Sequence, residues 1–219
     1  MASKPLKTAA EELRIVVLGK DENKNRELIN KILGTEGMTK GVYDGVPVVF
    51  TEGPGLLSTN PAENPVKVIK GIACIAPGPH VFLYVKDTEP FTTVEQKEVK
   101  TLLSILKGSK SHFLGVVLNN GPISKDDERE INNSFMKDFG NGFIVFNKRE
   151  PNVSEIMKKI KKIGKKGHYT NKFYEKMDPK VNLQDIIIAE SKEVLSKLLG
   201  EDVYDFIEKC IEKAVEKCF

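Results

Sequence analysis

The chain has 219 residues, 40% hydrophobic and 30% charged, a balance typical of a soluble globular protein with one sizeable α/β domain and an added helical tail. A net charge of +3 is too small to indicate nucleic-acid binding, which needs a concentrated basic surface. The three cysteines form no CxxC pair, so a reducing cytosol is expected. The opening MASKPLKTAAEEL lacks the apolar core of a signal peptide, and no apolar run approaches the ~20 residues of a membrane span.

The first structured stretch covers residues 13–33. Apolar and β-branched residues over 13–18 predict a buried strand, and Gly19 predicts a turn after it. Gly34 predicts the end of the following helix. That helix is indicated by apolar residues at helical spacing, namely Leu28, Ile29, Ile32 and Leu33. Strand, glycine turn and helix in this order begin a P-loop nucleotide-binding domain.

Strands and helices alternate along the chain as far as residue 163. Asp44-Gly45 between two β-rich runs predicts a tight hairpin of 41–43 and 46–51. A loop rich in Pro and Asn is predicted from Glu52 to Pro65. A later helix is predicted to start at Thr92 or Thr93 and to end at Gly108. Its apolar residues at helical spacing predict a buried stripe, namely Val94, Val99, Leu102, Leu103 and Leu106. The remaining predicted elements are helices over 66–75, 124–135 and 153–163, and strands over 80–85, 113–118 and 143–146.

This alternation predicts an α/β fold of the P-loop NTPase type, with a mostly parallel sheet, helices on both faces and one antiparallel strand from the hairpin. From Tyr169 onward the pattern is helical only. Two amphipathic helices, 183–199 and 203–215, are separated by Gly200 and are expected to pack on the domain as an antiparallel pair. The predicted organisation is a flexible arm over 1–12, the α/β domain over 13–177 and the C-terminal helical pair over 178–219.

Several segments carry a resemblance to a known family. The most specific is APGPH at 76–80, followed by the strand VFLYV and the helical FTTVEQKEVKTLLSIL. The others are LRIVVLGK with INKILG, IVFNK at 144–148 and GHYTNKFY at 167–174. Together they resemble the immunity-associated nucleotide-binding GTPases, the GIMAP or AIG-type family, over 13–177. The resemblance implies a Ras-type G domain that binds GTP or GDP with Mg²⁺, in proteins that regulate immune cells and assemble on membranes.

The phosphate loop departs from the pattern of this family. Family members read GKTGxGKS where this chain reads GKDENKNR, residues 19–26. Asn25 takes the place of the lysine that reaches the β- and γ-phosphates, and Arg26 takes the place of the hydroxyl that binds Mg²⁺. Lys24 replaces a glycine whose missing side chain lets the backbone wrap phosphate. Asp21 and Glu22 add negative charge where an anion would bind.

The other nucleotide motifs depart as well. Glu52-Gly53-Pro54-Gly55 replaces DTPG, and Glu52 keeps a carboxylate able to approach a metal through water. Thr39 is the counterpart of the switch threonine, in a segment shorter than that of the family. The guanine-binding Thr-Arg-x-Asp becomes Asn119-Asn120-Gly121-Pro122, and Pro122 cannot accept from the two N–H groups of the base. Asn147-Lys148 retain a base-side element.

A helix amino terminus attracts anions through its free N–H groups and its dipole. We therefore expect Asp21 and Glu22 to satisfy this terminus where phosphate would otherwise lie. The hypothesis is a pseudo-GTPase with a degenerate site, acting as a regulatory or scaffold module through contacts with other proteins, possible partners including GIMAP-family members. No cofactor, no catalytic residue, no metal site and no nucleic-acid partner are expected, and the expected location is cytoplasmic.

The alternative is a GIMAP-type switch protein that binds GTP or GDP with Mg²⁺ and has weak or no GTPase activity. In that case the residues expected to contact the nucleotide are Gly19, Lys20, Lys24 and Asn147. Whether the chain is an enzyme stays open, with the substitutions favouring a non-enzyme, and the oligomeric state is open too.

The histidines and the densest basic run have structural interpretations. His80 starts a buried strand and is expected to be structural, and His112 is expected to be an isolated surface residue. His168 belongs to a helix start where Thr170 is the expected cap. The run KKIKKIGKK at 158–166 predicts a solvated helix face, and peripheral contact with anionic lipid is the less favoured alternative.

Overall fold

The computed structural model describes residues 12–53, 65–134, 138–178 and 180–216. The strands are β1 Leu13–Leu18, β2 Lys40–Tyr43, β3 Val46–Glu52, β4 Val81–Asp87, β5 Phe113–Asn119 and β6 Phe143–Asn147. The helices are α1 Glu22–Leu33, α2 Pro65–Ala73, α3 Thr93–Ile105, α4 Lys125–Asn133, α5 Val153–Gly164, α6 Lys172–Lys176, α7 Leu183–Ile188, α8 Lys192–Leu199 and α9 Glu201–Glu216. The predicted arm lies almost wholly outside the described residues, as does most of the predicted loop after Glu52.

The six strands form one sheet in the order β2-β3-β1-β4-β5-β6. Only β2 and β3 are antiparallel, and all other neighbours are parallel. Asp44 and Gly45 make the hairpin turn with φ of 55° and 73°, the left-handed conformation that two-residue hairpins require. The predicted α/β fold with a mostly parallel sheet is therefore confirmed, as is the hairpin.

Successive side chains of β1 enter two different cores, which explains its continuous apolar run. Ile15 and Val17 pack with α1 and α5 on one face, and Val16 and Leu18 pack with α2, α3 and α9 on the other. All four are buried to within 2% of complete. Full burial of such a side chain contributes about 1.5–3 kcal/mol, so helices on both faces hold the strand in place.

The start of α3 is one of the two that were predicted, whereas the start of α6 differs from the prediction. Thr92 caps α3, and its capping box is completed by Glu95. With this start Val94 falls in the first turn and is 59% exposed, so its predicted place in the buried stripe is wrong. Asn171 caps α6 by accepting from the Phe173 and Tyr174 amides, so the prediction of Thr170 as the cap is wrong as well.

The predicted pair of C-terminal helices is three helices. The segment 183–199 is divided because Ser191 accepts the Val194 amide and so begins α8 as a separate helix. The chain leaves α8 through Gly200, as predicted, and α9 packs against α3 and α8. The predicted boundaries of arm, domain and extension stay predictions. No helix in the described part of the chain combines the length and apolar character of a membrane-spanning segment.

The segment 76–80 joins three parts of the chain at the amino ends of the parallel strands. The Arg14 Nε donates to the Gly78 carbonyl at 2.9 Å, and the Tyr169 amide donates to the Pro79 carbonyl at 2.8 Å. His80 is buried, and its Nδ1 accepts from the Arg14 amide at 3.0 Å. The expected structural role of His80 agrees with these contacts, which lie at the end of the sheet opposite to the loop after β1.

His112 lies at the same junction. Its Nδ1 is 3.0 Å from the His80 carbonyl oxygen, and its ring meets the Tyr169 ring at 6.0 Å between centroids. The prediction of an isolated surface histidine is therefore wrong. The error arises because β4 and β5 are neighbours in the sheet, which places the residue before β5 beside the start of β4.

Replacing Gly78 tests how closely this junction is packed. Gly78 has a φ of 124°, and an added Cβ would lie 1.9 Å from the Tyr169 carbonyl oxygen. We expect Gly78→Ala to lower the free energy of unfolding by at least about 3 kcal/mol, from backbone strain and overpacking together.

Gly37→Ala is the matched control, because Gly37 also has a positive φ of 71° but nothing within 4 Å of the added carbon. It should cost only about 1 kcal/mol of backbone strain in a urea titration. Equal costs for the two variants would contradict the packing described for the junction.

Candidate functional site: the loop between β1 and α1

The connection between β1 and α1 is short. β1 ends at Leu18 and α1 begins at Glu22, so three residues, 19–21, join them. A P-loop places its glycine-rich loop between strand and helix so that backbone amides surround the phosphates. In this chain the helix already includes positions 22–24, which belong to the loop in the family pattern. The amides of these positions therefore belong to the first turn of a helix.

Asp21 caps that helix with its own carboxylate. Its Oδ1 accepts from the Asn23 amide at 3.0 Å and from the Lys24 amide at 3.3 Å, while its backbone is extended. An acceptor at this position satisfies free N–H groups of the first turn and meets the positive end of the helix dipole. The expectation that an acid of the loop satisfies the helix terminus is confirmed for Asp21. Glu22 instead lies in the first turn.

The Lys24 side chain extends to the end of β4. Its Nζ donates to the Asp87 carboxylate and lies 3.8 Å from Asp21 Oδ2. The hydrogen bond to Asp87 raises the pKa of Lys24 above its ordinary value. Burial alone would raise the pKa of Asp87, but the Lys24 bond and charge, with Lys86 nearby, hold that pKa below its ordinary value.

Asn25 lies beneath the loop at the position of the phosphate-binding lysine. It is 3% exposed, and its Nδ2 donates to the Gly19 carbonyl at 3.4 Å. Its Oδ1 has no hydrogen-bond partner among the described residues. A Cβ added to Gly19 would lie 2.4 Å from this oxygen and 2.9 Å from the Val85 carbonyl. The glycine is thus required by the asparagine packed against it.

Arg26 pairs with the carboxylate predicted to approach a metal. Its Nε donates to Glu52 Oε1 at 3.1 Å, and its Nη2 is 3.9 Å from Glu22. The side chains at the Mg²⁺-hydroxyl and DTPG-carboxylate positions are therefore joined by an ion pair. No group of three or more His, Cys, Asp or Glu in the described ranges is arranged to hold a metal ion. The residues present do not fit Mg²⁺ bound to a nucleotide phosphate.

The positions that correspond to the guanine-binding motifs of the family lie in turns at the ends of β5 and β6. Asn119 pairs there with Asn147 in the sheet register. Asn119 Nδ2 donates to the Gly121 carbonyl at 3.2 Å and to the Pro122 carbonyl at 3.4 Å. Asn147 Oδ1 accepts from the amides of 149 and 150 at 3.0 and 3.2 Å. Lys148 Nζ is 3.6 Å from Glu27 on α1. Each of these polar side chains therefore contacts another group of the protein.

The predicted contact residues occupy two places. Gly19, Lys20 and Lys24 lie together at the carboxyl end of β1, whereas Asn147 ends the edge strand β6. Lys20 is exposed. Burial raises the pKa of Glu98 on α3 above its ordinary value, and the charge of Lys20 acts against this rise. No ligand tests these four assignments, which stay predictions. Thr39, the expected switch residue, accepts the Phe50 amide through its carbonyl at 2.7 Å.

Sequence reasoning missed Asp87 as the partner of Lys24. The available signal was the position of Asp87 at the end of the buried strand β4. This strand is the neighbour of β1 in the sheet, so its last residue lies close to the loop after β1. A cleft of about 260 Å³ beside Asp87 was also missed; it lies between the 86–91 segment and α4.

A family model described as the AIG1 family matches residues 13–188, most of the chain. The chain belongs to the AIG1 family. The resemblance predicted from the sequence segments is therefore confirmed, and the described loop belongs to an AIG1-type G domain.

Solved structures are similar to this AIG1 domain in fold. One is a chain from a structure of the chloroplast translocon components atToc33 and psToc159, at a TM-score of 0.54 and 14% identity, covering 71% of this chain and 84% of that chain. Another is the cytosolic domain of the T. maritima FeoB iron transporter in its GMPPNP form, at a TM-score of 0.51 and 13% identity, covering 94% and 99%. Era bound to MgGDPNP and 16S ribosomal RNA matches at a TM-score of 0.51 and 14% identity, covering 70% and 57%. At such identities the likeness shows the P-loop GTPase fold alone.

The Lys24–Asp87 pair gives the AIG1 domain a pH-dependent contribution to its stability. Because the native pKa of Asp87 is lowered, this contribution is present above the unfolded value of 3.8 and is lost as the pH falls through the lower native pKa. We expect Lys24→Met to be less stable than wild type at neutral pH and the difference to close as the pH falls below 3.8.

The measurement is urea unfolding over a pH series. Lys31→Met, on the same helix, is the control and should leave a difference from wild type that does not change over this window. A Lys24→Met deficit that is constant with pH would contradict the assigned pair.

Proposed function

We propose that this AIG1-type G domain is a pseudo-GTPase, a regulatory or scaffold module that acts through contacts with other proteins. The observation that carries the proposal is the Asp21 carboxylate at the amino end of α1, on the amides of residues 23 and 24. An anionic phosphate would have to displace this carboxylate. Loss of an N-cap contact costs about 0.5–2 kcal/mol, and this cost alone opposes nucleotide binding.

The substitutions at positions 25 and 26 oppose binding further. A hydrogen bond to a charged group contributes about 1.5–3 kcal/mol, and Asn25 and Arg26 remove both the lysine–phosphate contact and the Mg²⁺ ligand. Two such losses correspond to roughly 100- to 10,000-fold in affinity. Lys24 and Arg26 also have carboxylate partners already, at Asp87 and Glu52. These two cationic side chains are thus engaged within the chain.

Exposed apolar residues support a role in protein contacts. Ile187 and Ile188 of α7 are 51% and 68% exposed, and Val194 of α8 is 43% exposed. The two isoleucines are adjacent on α7, and exposed apolar patches are typical of interaction sites. Members of the same family are the partners we propose, in keeping with the resemblance, and the proposal keeps the cytoplasmic location expected from the sequence.

The second candidate is a GTP- or GDP-binding switch with weak or no GTPase activity. It is favoured by the family match and by Lys20, which lies exposed at the rim of the loop. In this case Mg²⁺ and the nucleotide would need Asp21 to leave its cap position.

Thermal melting with Mg²⁺-GTP and Mg²⁺-GDP separates the two candidates. A ligand at a hundredfold over its dissociation constant adds about 2.7 kcal/mol, which raises the Tm of a domain of this size by roughly 5–10 °C. We expect no shift for the pseudo-GTPase at millimolar nucleotide. A shift of that size at micromolar nucleotide would assign the switch function instead.

Restoring the family residues tests the role of Asp21 directly. The variant Asp21→Thr/Glu22→Gly/Lys24→Gly/Asn25→Lys/Arg26→Ser should gain Mg²⁺-dependent binding of nucleoside triphosphates in calorimetry. It should not distinguish GTP from ATP, because Pro122 replaces the guanine-binding carboxylate.

The control is Lys24→Gly/Asn25→Lys/Arg26→Ser, which keeps Asp21 and Glu22. It should bind at least tenfold more weakly than the full variant, because the carboxylate cap remains. Equal binding by the two variants would show that the cap does not exclude phosphate, and melting curves of both verify that they fold.

A further inference from the structure

A basic groove lies at the opposite end of the sheet from the loop after β1. It has a volume of about 730 Å³ and lies between the β2–β3 hairpin and α5. Tyr43 and Asp44 form its hairpin side. Its helix side carries five lysines, Lys158, Lys159, Lys161, Lys162 and Lys165. The hairpin turn precedes β3, and Val48 near the start of β3 aligns with Leu13, the first residue of β1. The hairpin side of the groove therefore lies at the amino ends of the strands.

The lysines are gathered on one surface by the packing of α5. Ile156, Met157, Ile160 and Ile163 are buried in the core, so the lysines between them are turned outward. Lys158, Lys162 and Lys165 follow one another at spacings of four and three, which places them as neighbours along the helix. Like charges at these spacings repel one another, and a bound anion would relieve that repulsion.

The charge of the groove is not balanced by its own acids. Five lysines face Asp44 and Glu155, a local formal charge of 5 − 2 = +3. The whole chain has a formal charge of +3, so the remaining residues sum to zero. Within the described ranges no carboxylate lies within 4 Å of the Nζ atoms of Lys158, Lys162 or Lys165.

The walls of the groove are held in place by specific contacts. Lys161 lies over the Tyr43 ring at 5.0 Å from its centroid and 2.9 Å from Asp44 Oδ2. Lys159 Nζ donates to the Phe143 carbonyl at 3.0 Å. α5 is pressed against β1, since a Cβ on Gly164 would lie 2.4 Å from Leu13 Cδ1. Two lysines are thus fixed, and the other three remain free to face a ligand.

We propose that this groove binds a compact anion that carries two or more phosphate groups, such as the headgroup of a phosphoinositide. The volume lies within the range of small-ligand sites, and a phosphate ester brings up to two negative charges in a small space. The site does not depend on the pseudo-GTPase proposal, because it lies at the other end of the sheet and uses none of the residues of the loop.

The test uses the full chain with two probes. Soluble inositol trisphosphate is titrated by calorimetry, and co-sedimentation is measured with phosphatidylcholine vesicles that contain or lack phosphatidylinositol bisphosphate. Lys158→Gln/Lys162→Gln/Lys165→Gln should weaken binding about 100-fold, since each lysine near a charged surface contributes about 1 kcal/mol, or about fivefold. Binding should also fall with added salt, because the lysines are exposed.

Lys180→Gln/Lys209→Gln/Lys213→Gln is the matched control, since it removes the same charge from exposed lysines elsewhere and should bind like wild type. A selective loss in the groove variant supports the proposal with either probe, and the probe that binds identifies a lipid or a soluble source. Equal losses in both variants, no binding by wild type, or tighter binding of a polyglutamate peptide would overturn it. Mg²⁺-dependent GTP binding that survives in the groove variant would count against the pseudo-GTPase proposal only.

Discussion

The hydrogen bonds from the Asn23 and Lys24 amides to the Asp21 carboxylate determine the arrangement of the loop after β1. They allow α1 to begin at Glu22, which leaves three residues between strand and helix. With the helix started so early, Asn25 lies under the loop against Gly19, and Lys24 reaches the end of β4. A carboxylate of the chain itself thus occupies the helix terminus where an anion would bind, and the positions of Lys24 and Asn25 follow from this early helix start.

The charges around this loop form a set of internal pairs. Lys24 pairs with Asp87, Arg26 with Glu52 and Lys148 with Glu27. Each is partly exposed, so each contributes little stability alone, at most about 1 kcal/mol. Their common effect is that the cationic side chains of these positions have protein partners.

Much of the fold could be predicted because it depends on local patterns. The apolar run of β1, the Asp44-Gly45 turn and the Gly34 helix end are each signals within a few residues. The role of Asp21 was also local, since it follows from the position of an acid at a helix start. Contacts between residues far apart in the sequence could not be predicted from such local patterns. Asp87 is 63 positions from Lys24, and His112 meets His80 only because β4 and β5 are neighbours. The division of 183–199 at Ser191 was missed because the apolar pattern continues across it, although the cap interrupts the helix.

The most direct test of the account is a crystal structure of the protein grown with Mg²⁺ and a non-hydrolysable GTP analogue. The account predicts that the Asp21 carboxylate remains on the amides of residues 23 and 24, with no triphosphate density over Gly19 and the residues that follow it. Clear triphosphate density over those amides, with Asp21 displaced, would contradict it.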